Sequence, residues 1–252
     1  MFDLSNKNII ITGASSGIGR SCAKYFSNLG ANLLLIGRDI DRLIETRTSL
    51  LKPINSLCFA LDLNEIDTYE NAVSEFVKQF GSIDGLLHSA GMQITLPLRL
   101  HNKDVYDNQL SINTIAAFEA CRITCKKEFF NPSGGSIIFI SSVRASFGMA
   151  NQVGYSASKG ALLAGAKSLS IELGQRKIRV NTVSPGMVEG TNMTNESIKR
   201  LSVDWETKSR SEYPLGWVTP EAVANACGFL ISDAAIYITG IDLIIDGGFS
   251  AK

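Results

Sequence analysis

The sequence lacks an excess of either charge and any long apolar run. Lys and Arg total 24, as do Asp and Glu, so the 252-residue chain has a net charge of zero. Nucleic acids and anionic membranes select basic surfaces, so this balance argues against both as the main partner. No apolar stretch approaches the roughly 20 residues of a membrane-spanning helix. We therefore predict neither a nucleic-acid partner nor a membrane partner.

Features of secreted proteins and of metal sites are also missing. The N-terminal residues lack the basic start and apolar segment of a signal peptide, which predicts a cytoplasmic location. Histidine occurs only at His88 and His101, and no CxxC pair is present, so we predict no metal site. We expect the five cysteines to be reduced and mostly buried. They are Cys22, Cys58, Cys121, Cys125 and Cys227.

Short apolar runs alternate with segments of helical periodicity, such as those around residues 72–80 and 162–173. This alternation predicts an α/β fold with a doubly wound, mostly seven-stranded parallel sheet and helices on both faces. Several runs are almost continuously apolar, as expected for strands covered on both sides. The predicted strands are Asn8–Thr12, Asn32–Ile36, Ser56–Ala60, Gly85–His88, Ser136–Ser141, Arg179–Val183 and Asp242–Ile245.

The first predicted strand leads into TGASSGIGR, from Thr12 to Arg20, and then into a helix. Gly13, Gly17 and Gly19 allow a tight turn and a close approach of the backbone to a pyrophosphate, which the helix N-terminus also favours. The strand–glycine–helix context predicts a dinucleotide site. The alternative is a glycine-rich turn needed only for packing the helix against the strand.

The second predicted strand ends in IGRD, where a dinucleotide fold often carries an acidic residue for the ribose 2′-hydroxyl. Gly37 occupies the acidic position and Arg38 follows, which favours NADP(H) over NAD(H). A shift of one residue would instead make Asp39 the ribose ligand. Further along, residues 184–216 form a polar segment that we predict to be an irregular substrate loop or lid, with room for a short mobile helix.

Together these motifs resemble the short-chain dehydrogenase/reductase family, in the branch with TGxxxGxG and YxxxK. The resemblance covers the whole chain and is greatest to the 3-oxoacyl-[acyl-carrier-protein] reductases and their relatives. It implies one Rossmann-type dinucleotide-binding and catalytic domain over residues 1–252. The other matching segments are ALD ending at Asp62, SIN ending at Asn113, SPG at Ser184–Gly186 and YITGIDLIIDGG at Tyr237–Gly248.

The resemblance implies that Ser142, Tyr155, Lys159 and Asn113 are catalytic. Tyr155 and Lys159 share a helix face at i and i+4. We expect the lysine ammonium to lower the tyrosine pKa so that the phenol can act as acid or base. Ser142 would bind the substrate oxygen, and Asn113 would hold a water chain. Each residue alone has an ordinary structural interpretation.

The resemblance also implies a set of cofactor-binding residues, with three departures from the family pattern. His88 replaces an asparagine, one extra residue precedes Thr191, and Trp217 stands where arginine is frequent. We interpret His88 as a packing variation. The implied cofactor residues are Gly13, Ser15, Ser16, Gly17, Ile18, Gly19, Arg38, Asp62, Leu63, Ala90, Gly91, Tyr155, Lys159, Pro185, Gly186, Val188 and Thr191.

The residues indicate the substrate less clearly than the cofactor. Arg144 could reach a substrate carboxylate or phosphate, or be a surface or intersubunit residue. The predicted function is an NADPH-dependent carbonyl reductase for a 3-oxoacyl thioester, small or carrier-linked, in a homotetramer or homodimer. Alternatives are an NAD-dependent dehydrogenase of a sugar, polyol or steroid, and a non-catalytic dinucleotide-binding regulator. The predicted pocket residues are Gln93, Arg144, Met149, Gln152 and Met187.

Overall fold

The computed structural model describes residues 2–200 and 203–251. Its central sheet is parallel throughout, with strand order β3-β2-β1-β4-β5-β6-β7. The strands are β1 (Asn8–Thr12), β2 (Asn32–Gly37), β3 (Ser56–Ala60), β4 (Gly85–His88), β5 (Gly135–Ile140), β6 (Ile178–Pro185) and β7 (Asp242–Ile245).

Helices connect the strands and cover the sheet. The helices of the described residues are α1 (Gly17–Asn28), α2 (Ile40–Thr48), α3 (Ile66–Phe80), α4 (Lys103–Leu110), α5 (Ala116–Thr124), α6 (Val153–Gly174), α7 (Asn192–Arg200), α8 (Val203–Ser211) and α9 (Pro220–Ile231). One apolar core packs α1, α2 and α9 on one face, and a second packs α3, α5 and α6 on the other. This is the predicted Rossmann-type, doubly wound fold.

The predicted strands are confirmed, with small differences at their ends. β5 begins and ends one residue earlier than predicted, β2 includes Gly37, and β6 extends from Ile178 to Pro185. The apolar pattern is strong because the central strands are buried on both sides: Ile10, for example, lies between Leu34 and Leu86 in the register.

The prediction of an irregular segment over residues 184–216 is wrong for most of its length. β6 continues to Pro185, and helices α7 and α8 occupy Asn192–Arg200 and Val203–Ser211. The Thr191 hydroxyl begins α7 by accepting a hydrogen bond from the Thr194 amide at 3.2 Å. Both helices have only nine residues and are polar in composition, and α8 has little apolar periodicity, so the segment has the composition of a loop. Residues 201 and 202 of the predicted loop lie outside the described residues.

The remaining structural expectations concern cysteines and membranes. All five cysteines are free; Cys58 is half-buried and the other four are buried. Within residues 2–200 and 203–251 no helix is both long and apolar enough to cross a bilayer.

Candidate active site

The predicted site residues converge at the carboxyl edge of the sheet. Thr12 ends β1, His88 ends β4, Ser141 directly follows β5, and Pro185 ends β6. Strand order reverses between β1 and β4, which are neighbours in the sheet. Open α/β sheets bind ligands at such a reversal, outside the carboxyl ends of their strands. Four segments distant in sequence therefore reach one place.

The glycine loop after β1 has no room for side chains. Gly13 has a φ of +67°, and a Cβ built there would lie 2.8 Å from the Ala90 amide nitrogen. A Cβ on Gly19 would lie 2.3 Å from the Gly13 carbonyl oxygen. At the start of α1, the Ser16 side chain makes no capping hydrogen bond. The helix N-terminus and the bare backbone beside it suit a pyrophosphate, so these residues fit a dinucleotide.

Arg20 fixes this loop against α2, a role that sequence reasoning missed. Its guanidinium donates to the Ser15 carbonyl at 2.7 Å and to the Thr46 hydroxyl at 2.9 Å. Thr46 in turn donates to the Ala14 carbonyl at 3.0 Å. The only sequence signal was the position of Arg20 at the end of the glycine motif, because its partners on α2 are 22 to 26 residues away.

The end of β2 lies against the same loop. A Cβ on Gly37 would be 3.2 Å from the Ser15 hydroxyl, so the two residues are neighbours. Arg38 is exposed, and it forms no ion pair among the residues described. The Asp39 carboxylate caps α2 by accepting from the Arg42 amide at 3.1 Å. The Arg38 guanidinium is therefore not used in an ion pair with a described residue, whereas the Asp39 carboxylate is already used as the N-cap of α2.

Two more predicted cofactor segments lie at the carboxyl edge of the sheet. Asp62, after β3, accepts from the Asn64 backbone and side chain at 2.9 and 3.0 Å, and Leu63 lies between them. On the opposite side, the Thr191 methyl group lies 3.3 Å from the position of a Gly17 Cβ. The extra residue before Thr191 has therefore not moved it away from the glycine loop.

The predicted catalytic residues of α6 are buried together. Tyr155 is 6% exposed and Lys159 is 4% exposed. The Lys159 ammonium lies 6.0 Å from the centre of the Tyr155 ring and donates to the Ile140 carbonyl at 2.8 Å. Ser142 follows β5 and is 8% exposed. Its hydroxyl is close enough to the Tyr155 phenol to lower the pKa of that phenol, against the larger effect of burial.

Burial is the main cause of the pKa shifts of Tyr155 and Lys159. It raises the pKa of Tyr155 above its ordinary value, while the Ser142 hydroxyl and the Arg144 charge act in the opposite direction. Burial lowers the pKa of Lys159 to about 8. The charge of Lys159 is not among the causes of the Tyr155 shift, so the lowering of the Tyr155 pKa by the ammonium together with an oxidised nicotinamide ring stays a prediction. Desolvation of the phenol outweighs the neighbouring charges.

Asn113 occupies a π-helical turn, Ser111–Ile115, between α4 and α5. Such turns frequently occur at functional sites. Its side chain accepts from the Met92 amide at 2.7 Å and donates to the Met92 carbonyl and the Ser158 hydroxyl, each at 2.9 Å. A Cβ on Gly91 would lie 3.1 Å from the Asn113 Oδ1. Asn113 thus holds Met92 directly through two hydrogen bonds and connects it to Ser158 on α6 through a third.

His88 faces the same layer as Asn113 and Lys159. The ring is 1% exposed and meets Phe139 edge-on at 6.4 Å between centres. Neither ring nitrogen has a hydrogen-bond partner among the described residues. Burial, followed by the charge of Lys159, lowers the pKa of His88 to about 3. The imidazole is therefore neutral near pH 7, consistent with a packing residue.

Comparisons with known proteins decide the family. A short-chain dehydrogenase model described as enoyl-(acyl carrier protein) reductase matches residues 13–250. The chain belongs to the short-chain dehydrogenase/reductase family. It is 32% identical to a 3-oxoacyl-[acyl-carrier-protein] reductase of Chlamydia trachomatis over 250 residues, covering 98% of each chain. It is 30% identical to an NAD-dependent glycerol dehydrogenase of Listeria innocua, covering 100% of this chain and 96% of that protein.

The structure of carveol dehydrogenase from Mycobacterium avium in complex with NAD superposes with a TM-score of 0.91. That protein is 26% identical, and the match covers 100% of both chains. Members of the short-chain family bind NAD(P)(H) and act on CH–OH or C=O groups. The protein is thus an oxidoreductase of this family, and the confirmed resemblance extends over the full chain.

The predicted pocket residues of this family member separate into two groups. Met149 lines an apolar cavity of about 280 Å³ with Leu96, Leu98 and Val153. Gln152 lies three residues after Met149 and is buried. Its Oε1 has no hydrogen-bond partner among the residues described.

The second group lies outside the lining of that cavity. Gln93 donates to the Thr95 hydroxyl at 2.9 Å, and the Met187 sulfur accepts from the Thr194 hydroxyl at 3.4 Å. Arg144 lies over the Phe249 ring at 5.0 Å. Sequence reasoning missed this aromatic neighbour, which is supplied by the C-terminal segment.

Proposed function

We propose that the protein is an NADPH-dependent carbonyl reductase that acts on a ketone such as a 3-oxoacyl thioester. The observation that carries the proposal is the burial of Ser142, Tyr155 and Lys159 beside the glycine loop at the strand-order reversal. Relatives named 3-oxoacyl-[acyl-carrier-protein] reductase support the substrate class.

The side chains divide the work on a carbonyl group. A bound reduced nicotinamide supplies the hydride for the carbonyl carbon. Tyr155 donates its phenolic proton to the carbonyl oxygen, and Ser142 donates a hydrogen bond to the same oxygen as negative charge develops. The raised pKa of Tyr155 keeps the phenol protonated near pH 7, the state that a proton donor needs. Lys159 would hold the ribose hydroxyls of the bound nicotinamide nucleotide, and Asn113 holds the Met92 backbone through two hydrogen bonds.

The end of β2 supports NADP(H) as the cofactor. A 2′-phosphate needs a cation, and Arg38 is exposed and free of ion pairs in the described part of the chain. Gly37 leaves space, and Asp39 is used as the cap of α2. The predicted cofactor residues from Gly13 to Thr191 border the same edge of the sheet. Helices α7 and α8 would form the substrate lid in place of the predicted loop.

Exposed apolar side chains support a homodimer or homotetramer. Ile115, before α5, is 57% exposed, and Ile171 on α6 is 79% exposed. They belong to the segments 115–125 and 162–173, which resemble the helices that pair across subunits in this family. Sedimentation of the purified protein would measure the assembly, and a monomer at micromolar concentration would contradict this part of the proposal.

The second candidate is an NAD-dependent alcohol dehydrogenase, favoured by the similarity to a glycerol dehydrogenase that is named NAD-dependent. Titration of NADPH and NADH, followed by nicotinamide fluorescence, distinguishes the two. We expect NADPH to bind at least about tenfold more tightly, or about 1.4 kcal/mol, and Arg38→Ala to remove the difference. Equal or tighter binding of NADH would favour the dehydrogenase.

Turnover separates the enzyme from a non-catalytic regulator. Wild-type protein and Tyr155→Phe are compared with NADPH and a panel of 3-oxoacyl thioesters and ketones. We expect turnover that Tyr155→Phe lowers at least about 100-fold, as for loss of a general acid. Cofactor binding without turnover of any carbonyl compound would favour the regulator.

A further inference from the structure

Arg144 stands two residues beyond Ser142, in the short 3₁₀ turn Val143–Ala145. Its backbone amide donates to the Ser142 hydroxyl at 3.2 Å, which ties the turn to the candidate oxygen-binding residue. Its side chain is half-buried, and the guanidinium lies 5.0 Å from the centre of the Phe249 ring. Tyr213 stacks on the same ring, at 4.9 Å and 25°. An aromatic wall therefore orients the arginine.

The charge of Arg144 acts on the candidate site. Burial raises the pKa of Tyr155 and that of Tyr213, and the Arg144 charge offsets part of both increases, so the guanidinium lies within electrostatic range of both phenols. Tyr213 in turn borders the SPG turn, since a Cβ on Gly186 would lie 2.7 Å from its ring. Arg144 is thus placed between the candidate proton donor and the segment that follows β6.

Within residues 2–200 and 203–251, no carboxylate forms an ion pair with Arg144. Asp246, the buried carboxylate near Tyr213, instead accepts from the Gly248 and Ser250 amides at 3.0 and 2.7 Å. Glu212 is the other carboxylate that acts on Tyr213. By contrast, Arg122 and Arg210 are both paired with glutamates.

We propose that Arg144 binds an oxyanion of the substrate, a carboxylate or a phosphate close to the carbonyl that Ser142 and Tyr155 hold. A guanidinium can bind either group through two parallel hydrogen bonds. This inference rests on the proposed function and narrows it, because it favours oxo acids or oxo phosphates over neutral ketones and thioesters. Phe249 and Tyr213 keep the guanidinium in place before the substrate enters.

The test uses matched charged and neutral substrates with NADPH. Acetoacetate is compared with methyl acetoacetate, and dihydroxyacetone phosphate with dihydroxyacetone, in wild type, Arg144→Gln and Arg144→Lys. We expect at least a tenfold higher kcat/KM for the charged member of one pair, and the pair shows whether a carboxylate or a phosphate is bound. Arg144→Gln should reduce that ratio to below threefold, and Arg144→Lys should keep part of it.

The ratio of kcat/KM for the charged substrate to kcat/KM for its neutral match measures oxyanion binding alone. A change in the Tyr155 pKa would affect both substrates of a pair equally and cancel in this ratio. Arg122→Gln removes the same charge from the exposed surface and should leave the ratio unchanged. Preference for neutral members, or a ratio that survives Arg144→Gln, would overturn the inference.

Binding decides the inference separately from the proposed function. If no carbonyl compound is reduced, the proposed function fails. Calorimetric titration of 3-hydroxybutyrate and its methyl ester into cofactor-loaded protein still measures the arginine, as does titration of glycerol 3-phosphate against glycerol. Tighter binding of one anion by wild type and not by Arg144→Gln supports the inference, and equal binding by both proteins overturns it.

Discussion

The carboxamide of Asn113 bonds to both backbone groups of Met92, accepting from its amide at 2.7 Å and donating to its carbonyl at 2.9 Å. A third hydrogen bond reaches the Ser158 hydroxyl on α6. The π turn that carries Asn113 therefore connects the strand β4 exit to the helix of Tyr155 and Lys159. The family resemblance implies that Asn113 is catalytic, and its hydrogen bonds show that it also holds the backbone beside the candidate site.

Asn113→Ala should lower both stability and turnover. It leaves the part-buried amide and carbonyl of Met92 without partners and removes one bond of the Ser158 hydroxyl, which still donates to the Tyr155 carbonyl, at a cost of about 2–4 kcal/mol in the free energy of unfolding. Asn113→Asp keeps the acceptor for the Met92 amide but places a buried carboxylate oxygen against the Met92 carbonyl, so it should be at least as destabilising. Urea unfolding and kcat measure the two effects. Unchanged stability in Asn113→Ala would contradict the positioning role.

Gly19→Ala should weaken cofactor binding. Its Cβ would lie 2.3 Å from the Gly13 carbonyl oxygen, so the glycine loop must move away from its present path. We expect NADPH affinity to fall more than about tenfold, or 1.4 kcal/mol, by fluorescence titration. Gly174→Ala is the matched control, since a Cβ there meets nothing within 4 Å. Equal affinities in the two variants would argue against a phosphate-binding role for the loop.

The sequence predicts best what depends on local pattern. The exits of β1 and β4 and the spacing of Tyr155 and Lys159 follow from apolar runs, glycines and helical period. Contacts between residues that are far apart in the sequence leave no such local pattern. Phe249 reaches Arg144 across 105 residues, and Arg20 reaches Thr46 across 26. Polar helices such as α8 are also hard to predict from apolar periodicity, because few of their residues are apolar.

Lys159→Met should abolish turnover and stabilise the fold. Burial lowers the pKa of Lys159 to about 8 from an ordinary value of 10.5, so folding disfavours the charged form. This cost is fully present below pH 8 and disappears as pH rises toward 10.5. After loss of the Ile140 hydrogen bond, we expect a net gain of about 1–2 kcal/mol at pH 7. Urea unfolding at pH 7 measures it, and a less stable variant would contradict the expected effect of burial.

His88→Asn should remove a dependence of stability on acid pH. The pKa of His88 is about 3 in the folded protein, against an ordinary value of 6.5. Between these values the unfolded chain binds a proton that the folded protein does not, so stability falls as pH decreases. The expected slope is about 1.4 kcal/mol per pH unit between pH 6 and pH 4, and it is absent above pH 7.

Urea unfolding of wild type, His88→Asn and His101→Asn over that pH range measures the slope. His101→Asn should keep it, because His88 is still present. His88→Asn should reduce the slope by the contribution of about one proton, roughly 1.4 kcal/mol per pH unit, whatever its effect on stability at pH 7. An unchanged slope in His88→Asn would show that other groups cause the acid sensitivity and that the buried imidazole is protonated without cost. The same measurement therefore tests whether the ring beside Lys159 is neutral in the folded protein.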